Sequence, residues 1–535
     1  MSRTVSNFKN STKRPRLVDQ SKSLINLIKS KQTEELIIAF CGALGSGTSV
    51  VAKHFVENLK NKGYRPEYIK VSERIRELCS EDDRLLKYDS LSKPQRTKLL
   101  QDLGDELRDK YGTDILAQKI IRDAALQRKI EDKEKVSTLK EGEEKRSRRY
   151  AIIIDSLKHP DEFTLLKAIY GNMLYMVGVL CPETIRVDRL ETDSSFTKQE
   201  AVELTQRDKD EGISHGQKLL KTLQKADFFI RNVGDNIESL DKPTDRYLSL
   251  MLGKASITPT IHEYAMHAAH SAALRSGCMS RQVGAAILNS DNDLISTGRN
   301  DVPKGGGGLY GPEEKTDDCR CIMTPHGKCQ SNEHKSEIIE EIHKIFSIEL
   351  SNIEELSKIE PERTKKLISG INAKVEEMPQ LQGLIEFSRA VHAEMDAITT
   401  AARNTSSGLK GGSLYCTTFP CHHCARHIVA SGIKKIYYIE PYEKSLAFQL
   451  HKDSIEIDAA DNSETKTKLK IIPFEGVAPK KYPELFTMKK RKENGKRKQF
   501  NVHSAKPLIE KFLYNSIEFE SVVATYFEEN IGKEK

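Results

Sequence analysis

The sequence predicts an α/β protein of two domains. Near the N-terminus a buried strand runs through a glycine-rich loop into a helix, and a second strand–loop–helix unit lies beyond residue 410. At 535 residues the chain is too long for one ordinary core. With 37% apolar and 30% charged residues it reads as a charge-rich globular chain. No run approaches ~18 apolar residues, so no membrane span is expected. Met1 to Gln20 is polar and basic and lacks the apolar core of a signal peptide. Ten cysteines at irregular spacing, some in apolar runs such as Phe40-Cys41-Gly42, are unlike a secreted disulfide framework, and a reducing cytoplasm is expected.

Residues 1–33 are expected to be a basic, flexible tail. The net charge of +7 is concentrated there (Lys9, Lys13, Arg14, Arg16) and in Lys489-Lys490-Arg491-Lys492 with Lys496-Arg497-Lys498, inside a basic extension over 486–535. Such runs are either solvated or bind a polyanion.

The first domain is expected over 34–245. Glu35 to Phe40 is a buried strand leading into Gly42-Ala43-Leu44-Gly45-Ser46-Gly47-Thr48-Ser49, and Val50 to Lys60 is helical. Strand, glycine loop and helix are the setting in which backbone N–H groups cradle a phosphate. Thr48 stands where the loop's lysine would be, and Lys53 is a turn too far along. The loop candidates are Gly42, Gly45, Ser46, Gly47, Thr48 and Ser49. Tyr150 to Asp155 is a hydrophobic strand ending in an acid suited to Mg²⁺. Arg186, Arg189 and Arg207 are candidate lid contacts, and Ala226 to Asn232 is a later strand. Arg128 to Arg149 alternates in charge and reads as an exposed helix or loop.

Residues 246–258 are the expected linker, within a stretch holding Pro243, Gly253 and Pro259. The second domain is expected over 259–485. Ile261 to Ser276 reads as a helix, Met279 to Leu288 as a strand, Ile295 to Asn300 as its hairpin partner, and Pro303 to Gly308 as a loop. An insertion follows at 317–382. Cys319, Cys321, His326, Cys329 and His334 can make a second, closed zinc site, although not all five need be ligands. Beyond them, Ile338, Ile339, Ile342, Ile345 and Phe346 follow helical spacing and suggest a helical hairpin.

The densest chemistry comes next. Phe387 to Ala402 reads as a helix carrying His392-Ala393-Glu394, Gly412 to Thr418 as a strand, and Ala425 to Ser431 as a helix after Pro420-Cys421-His422-His423-Cys424. One imidazole (His392) and two thiolates (Cys421, Cys424) can hold Zn²⁺ and leave a fourth position for water. Glu394, two residues past the histidine, is placed to shuttle protons. Tyr437, Tyr438 and Tyr442 either wall a base or fill the core.

H-x-E followed by P-C-x-x-C resembles the zinc-dependent nucleoside and nucleobase deaminases. With the R-Q-V-G-A strand and G-x-N hairpin, residues 259 to 485 resemble deoxycytidylate deaminases. The resemblance implies a three-layer α/β/α domain, Glu394 as proton shuttle, Asn300 at the sugar, Ser280 and Arg281 at a phosphate or hydroxyl, and Tyr442 at the substrate. Residues 34 to 245 resemble the P-loop nucleoside-monophosphate kinases, a parallel sheet flanked by helices. Joined, they resemble the bacterial anti-phage deoxycytidine-nucleotide deaminases. That family implies conversion of dCTP and dCMP to dUTP and dUMP, a regulatory P-loop domain with Mg²⁺ and a nucleotide, a homo-oligomer, and in some systems an inhibitory small RNA. The rival expectations are a polynucleotide cytosine or adenine deaminase, disfavoured by the lack of Trp and of aromatic–basic interleaving near the site, and a nucleotide kinase, disfavoured by Thr48.

Overall fold

The computed structural model describes residues 33–530 apart from 137–148, 210–215, 235–236, 325–326, 354–360, 377, 379–380, 382–383, 385, 405–407, 443–444, 458–466, 488–490 and 510–512. Two sheets organise these residues. The first contains β1 (Leu36–Gly42), β2 (Arg65–Lys70), β3 (Tyr150–Asp155), β4 (Leu174–Leu180) and β5 (Phe228–Arg231). The second contains β6 (Gly284–Leu288), β7 (Leu294–Arg299), β8 (Ser413–Thr418), β9 (Lys435–Glu440), β10 (Ile455–Ile457) and β11 (Leu469–Pro473). A two-residue strand, β12 (Gly476–Val477), follows β11 in sequence but belongs to the first sheet, which runs β12-β5-β4-β1-β3-β2.

β1 to β5 pair in parallel and β12 joins antiparallel. A parallel sheet must be covered on both faces, which is why β1 and β3 are buried at every position. Leu36, Ile38 and Phe40 pack toward the helices Thr48–Asn61 and Asp241–Met251. Ile37, Ala39 and Cys41 pack on the opposite face, toward Ile115–Val136.

The second sheet runs β10-β11-β9-β8-β6-β7, with β6 antiparallel to both neighbours and β8, β9, β11 and β10 parallel. Alternation along each strand builds three layers. Ala286, Leu288, Tyr415 and Tyr437 share a core with Ala265, Met266 and Ala269 of the helix Ile261–Ala273. Ala285, Ile287, Leu414 and Ile436 face the helices Ala393–Asn404 and His422–Ala430. Two glycines let helix backbone touch the sheet. A Cβ on Gly298 would lie 2.2 Å from the carbonyl of Ala393, and one on Gly284 would lie 1.9 Å from that of Ala269.

The two-domain α/β architecture is as expected, but two boundaries move. The segment read as a linker carries the helix Asp241–Met251, with Leu248 and Met251 fully buried. Pro243 sits in its first turn, where a missing N–H costs nothing. Gly253, at φ +73, follows its end. The segment read as an outlying C-terminal extension packs back on the first sheet. Leu508 joins its core and donates its N–H to Met251 O at 2.7 Å. The helix Leu513–Asn530 lies along Ile115–Val136. There Arg128 is buried between Glu35 (2.6 Å) and Glu520 (2.8 Å). The basic run divides: Lys492–Glu493 and Lys496–Arg497 form an exposed hairpin, while Lys489 and Lys490 fall outside the described residues. The insertion contributes helices Gln330–Ser351 and Pro361–Glu376, packed together as the hairpin reading expects. Among the described residues no helix is long and apolar enough to cross a membrane.

Arg128 is a cation paired with two buried carboxylates. Removing one member of such a set leaves uncompensated charge and costs about 3–5 kcal/mol. Arg128→Met is predicted to lower unfolding free energy by about that amount, measured by urea denaturation; a loss below about 1 kcal/mol would show that Glu35 and Glu520 do not depend on it.

Candidate active site

Two of the three metal-capable side chains, His392 and Cys421, sit just before a helix, and the third, Cys424, lies in the first turn of one. The expected helix over 387–402 begins later, at Ala393. Val391 is held instead by a two-way backbone bridge to Asp301, at 2.9 and 3.3 Å. His392 is therefore the last residue before the helix, and its carbonyl accepts the N–H of Asp396 at 2.9 Å. Cys421 is the N-cap of His422–Ala430, its Sγ accepting the N–H of Cys424 at 3.4 Å. The preceding loop is held by the Phe419 N–H on Glu440 O at 2.7 Å.

This framing brings Nδ1 of His392 to 3.3 Å from Cys421 Sγ and 3.4 Å from Cys424 Sγ. The three ligand atoms all lie within 4.8 Å of one another. Tetrahedral zinc, with Zn–S near 2.3 Å and Zn–N near 2.0–2.1 Å, sets ligand atoms roughly 3.5–3.8 Å apart. Donor chemistry and spacing both fit that ion. Without metal, the hydrogen bond from Cys424 draws the Cys421 thiol down to about 4, and the bond to Cys421 lifts His392 to about 9. Cys424 is held well above the usual thiol range, first by its bond to Cys421. The imidazolium–thiolate proton is what a bound metal would displace.

Glu394 lies in the first turn of Ala393–Asn404 and is 4% exposed. Burial raises its carboxyl above the ordinary range, favouring the protonated form. It lies at the floor of a cavity of about 340 Å³ that Ser280, Arg281, Asn300, Tyr442, His392 and Cys421 also line. All four expected substrate residues thus reach one cavity with His392 and Cys421. Two have other duties. Asn300 accepts the Val283 N–H at 2.7 Å and donates to Arg281 O at 2.8 Å, pinning the strand ends. The Arg281 guanidinium pairs with Glu440. Tyr437 is stacked on Tyr415 at 4.9 Å and belongs to the core.

The second zinc set does not assemble among the described residues. Among the described residues the only metal-capable group of three is His392, Cys421 and Cys424. Cys319 is exposed, and His334 turns to Glu337 (2.9 Å) on its own helix. His326 lies outside the described residues. Cys321 and Cys329 do reach the cavity wall, beside Cys278, which the motif analysis had passed over. Only its place directly before Met279-Ser280-Arg281 could have signalled it.

In the other domain, the glycine loop forms as expected between β1 and the helix Thr48–Asn61. Gly45 and Gly47 take φ of +80 and +76, which their neighbours enforce; a Cβ on Gly47 would lie 2.2 Å from Asn232 Nδ2. Ser46 Oγ and Thr48 Oγ1 are 2.9 Å apart. Ser49 Oγ donates to Asp155 Oδ2 at 2.6 Å, while the buried Oδ1 has no hydrogen-bond partner among the described residues. A hydroxyl and a carboxylate in contact, with one buried oxygen to spare, fit a Mg²⁺ ion. Lys53 is exposed. Lys158, absent from the motif, places Nζ 2.8 Å from Gly42 O and 2.7 Å from Asp208 Oδ2. The same Asp208 oxygen accepts the Leu44 N–H at 2.8 Å. The expected lid arginines face protein. Arg186 donates to the Leu44 and Cys181 carbonyls at 3.2 Å, Arg189 to those of Asn232 and Gly234 at 3.1 Å, and Arg207 pairs with Asp102 and Asp105.

Residues 259–440 match the family model described as the cytidine and deoxycytidylate deaminase zinc-binding region. This segment is thus similar to the zinc-binding region of that family. It is 51% identical over 55 residues to a deoxycytidylate deaminase of Enterobacteria phage T2, covering 10% of this chain and 29% of the relative. It is 23% identical over 177 residues to the deoxycytidylate deaminase of Mus musculus, covering 33% and 63%. A crystal structure of dCMP deaminase from the cyanophage S-TIM5 in apo form is 17% identical, covers 41% of this chain and all of that one, and gives a TM-score of 0.21. The chain spans under a third of the phage relative's length.

Cys421→Ser and His392→Ala are predicted to reduce bound zinc from about one per chain to near none by plasma emission spectrometry, whereas Glu394→Ala retains it. Zinc retained in both ligand variants would place the metal elsewhere.

Proposed function

We propose that the protein hydrolytically deaminates deoxycytidine nucleotides, converting dCMP, dCTP or both to the deoxyuridine forms with release of ammonia. The observation that carries this reading is the buried Glu394 lining one cavity with His392 and Cys421 of the His392–Cys421–Cys424 set. Zinc, when bound there, lowers the pKa of a coordinated water to about 7. Glu394 is placed to hold that water's proton, to protonate the ring nitrogen of the base and to deliver a proton to the departing amine. Its burial excludes bulk water and keeps the carboxyl able to donate. The bond from carbon 4 to the amino nitrogen breaks, a carbonyl replaces it, and ammonia leaves. The local likeness to phage deoxycytidylate deaminases supports a deoxycytidine nucleotide as substrate.

The proposal extends to the role. Draining the deoxycytidine nucleotide pool would starve phage replication, and the P-loop domain would govern the activity rather than transfer a phosphoryl group. Thr48 in place of the loop lysine and Asp208 on the Leu44 N–H both favour regulation over catalysis. The ligand would be a nucleotide with Mg²⁺ at Ser49 and Asp155. The exposed hairpin around Lys492–Glu493 and Lys496–Arg497 supports contact with a polyanion such as an inhibitory small RNA. Assembly into a homo-oligomer in the cytoplasm completes the proposal.

Zinc-loaded protein offered dCMP, dCTP, CMP and a cytosine-containing single-stranded DNA should release ammonia from the deoxynucleotides. Glu394→Ala should cut that rate about 10²–10⁴-fold. Release from the DNA alone would overturn the assignment in favour of polynucleotide editing. Full activity in Glu394→Gln would remove the carboxylate from the mechanism.

A further inference from the structure

The helix Lys198–Lys209 reaches into the glycine loop of the first domain. Its Asp208 is 1% exposed, and one carboxylate oxygen, Oδ2, accepts both the Leu44 N–H at 2.8 Å and Lys158 Nζ at 2.7 Å. A loop N–H and a lysine converging on one anionic oxygen is how a phosphate oxygen is held. Here the oxygen comes from the protein.

The two partners of Asp208 are anchored independently of that helix. Leu44 belongs to the loop. Lys158 Nζ also donates to Gly42 O at 2.8 Å, and the Lys158 N–H goes at 3.1 Å to Glu162, which Arg108 holds at 2.9 Å. The Ser49–Asp155 pair, with its spare buried oxygen, does not involve Asp208 either. The helix is the separable part. With the helix Glu183–Ser194 it builds a small cluster of Val187, Leu190, Phe196, Ala201 and Leu204 that lies apart from the cores of both sheets. Polar contacts tie it down as well: Arg207 on Asp105 at 2.7 Å and Gln101 Nε2 on Leu204 O at 3.4 Å. Such contacts are exchanged for water at small net cost. Thr205, fully buried, leaves Oγ1 without a hydrogen-bond partner among the described residues, which penalises the docked state.

We propose that Asp208 is an internal substitute for phosphate. While the helix Lys198–Lys209 is docked, its carboxylate occupies the Leu44 end of the loop. A phosphate-bearing ligand with Mg²⁺ enters as the helix withdraws, and takes over the Leu44 N–H and Lys158. Occupancy of the loop is thereby converted into release of a helix. Breaking a buried ion pair is costly, so the docked state is the resting one. The proposal rests on the reading of the glycine loop as a phosphate cradle and is independent of the deamination proposed above.

The test uses the full-length chain and inorganic pyrophosphate with Mg²⁺, a probe that carries no base for the cavity over Glu394. Binding is measured by titration calorimetry for the wild type, Asp208→Ala, Asp208→Asn, and Asp208→Ala combined with Lys158→Ala. Removing a charge-assisted competitor is worth about tenfold or more in affinity. Asp208→Ala should bind tighter than wild type by at least that factor, and Asp208→Asn should shift the same way. Adding Lys158→Ala should abolish the gain. Hydrogen exchange on the wild-type chain needs no variant: the amides of Lys198–Lys209 should exchange faster once pyrophosphate saturates it. Equal affinity in wild type and both Asp208 variants, or exchange in that helix unchanged or slowed by binding, would overturn the inference and leave the cradle standing. Affinity that survives Lys158→Ala would place the anion elsewhere and overturn it too. No binding by any chain, each shown by circular dichroism to be folded, would sink the inference and the cradle together. Ammonia release from deoxycytidine nucleotides, measured on the same preparations, reports separately on the proposed deamination.

Discussion

The two halves of the molecule meet at one buried carboxylate. Glu263 is 1% exposed and serves three elements at once. Its Oε1 accepts the Val477 N–H of β12 at 2.9 Å, and its two oxygens take both Arg246 Nη groups at 2.7 Å. Oε2 also accepts the Thr260 N–H at 2.8 Å, closing the capping box of its own helix. Helix Asp241–Met251 of the first domain, helix Ile261–Ala273 of the second and the strand that crosses between them are thus fixed to a single side chain. A buried carboxylate is tolerable only when fully paired, so each partner is conditional on the others. The crossing strand extends the dependence. β11 ends in the second sheet, Phe474 donates its N–H to Tyr438 O at 2.7 Å, and three residues later Val477 pairs with Phe228. The domains share an apolar core as well as a chain: Phe229, Phe474, Met266 and Ala286 belong to one cluster.

That junction was the part least legible in the sequence. A two-residue strand of Gly476 and Val477 has no periodicity to read, and its partner is some 250 residues away. The C-terminal segment was read by its lysines, although Leu508 and Phe527 are the residues that bury. Pro243 looked like a break because a proline signals opposite things in the first turn and in the middle of a helix. By contrast β1, β3, β8 and the helix after Cys421 were readable because composition, length and bounding residues all agree there. The four candidate site residues were legible because their spacing is local: H-x-E and C-x-x-C each place their members within a turn. The insertion cysteines show the opposite case. Five candidate ligands within sixteen residues suggest a site by proximity in sequence, but Cys319 and His334 lie on different elements and face different ways. Sequence spacing constrains a metal site only where the backbone between the ligands is regular.

The ligand geometry follows from element ends. His392 and Cys421 each occupy the last non-helical position before a helix, where φ and ψ differ from helical values and the side chain can turn across the helix start. The backbone bridge between Val391 and Asp301 keeps the first helix from beginning earlier, and the close approach allowed by Gly298 keeps it flat on the sheet. Glu394 then falls within the first turn, near the metal set yet not of it. The helix over 387–402 that the apolar pattern suggested would have placed His392 mid-helix and displaced its imidazole from the two thiols. The bridge explains why tertiary pairing prevails over helical pattern in this stretch.

The glycine loop of the first domain poses the same question in electrostatic terms. A phosphate cradle depends on N–H groups without partners and on a cation. Here a carboxylate, Asp208, already accepts the Leu44 N–H, and the nearby cation is Lys158 from the end of β3, ion-paired to that carboxylate and bonded to the Gly42 carbonyl. The pair reproduces inside the protein the charge pattern of a phosphate held by a lysine. A phosphate at that end of the loop would have to displace Asp208 and take over Lys158. The displaced carboxylate, 1% exposed, would lose both of these partners, which is costly. Phosphoryl transfer needs cations fixed in place before the substrate arrives, and here the cation is already committed to a carboxylate. The hydroxyl of Ser49 and the spare oxygen of Asp155 lie outside that ion pair.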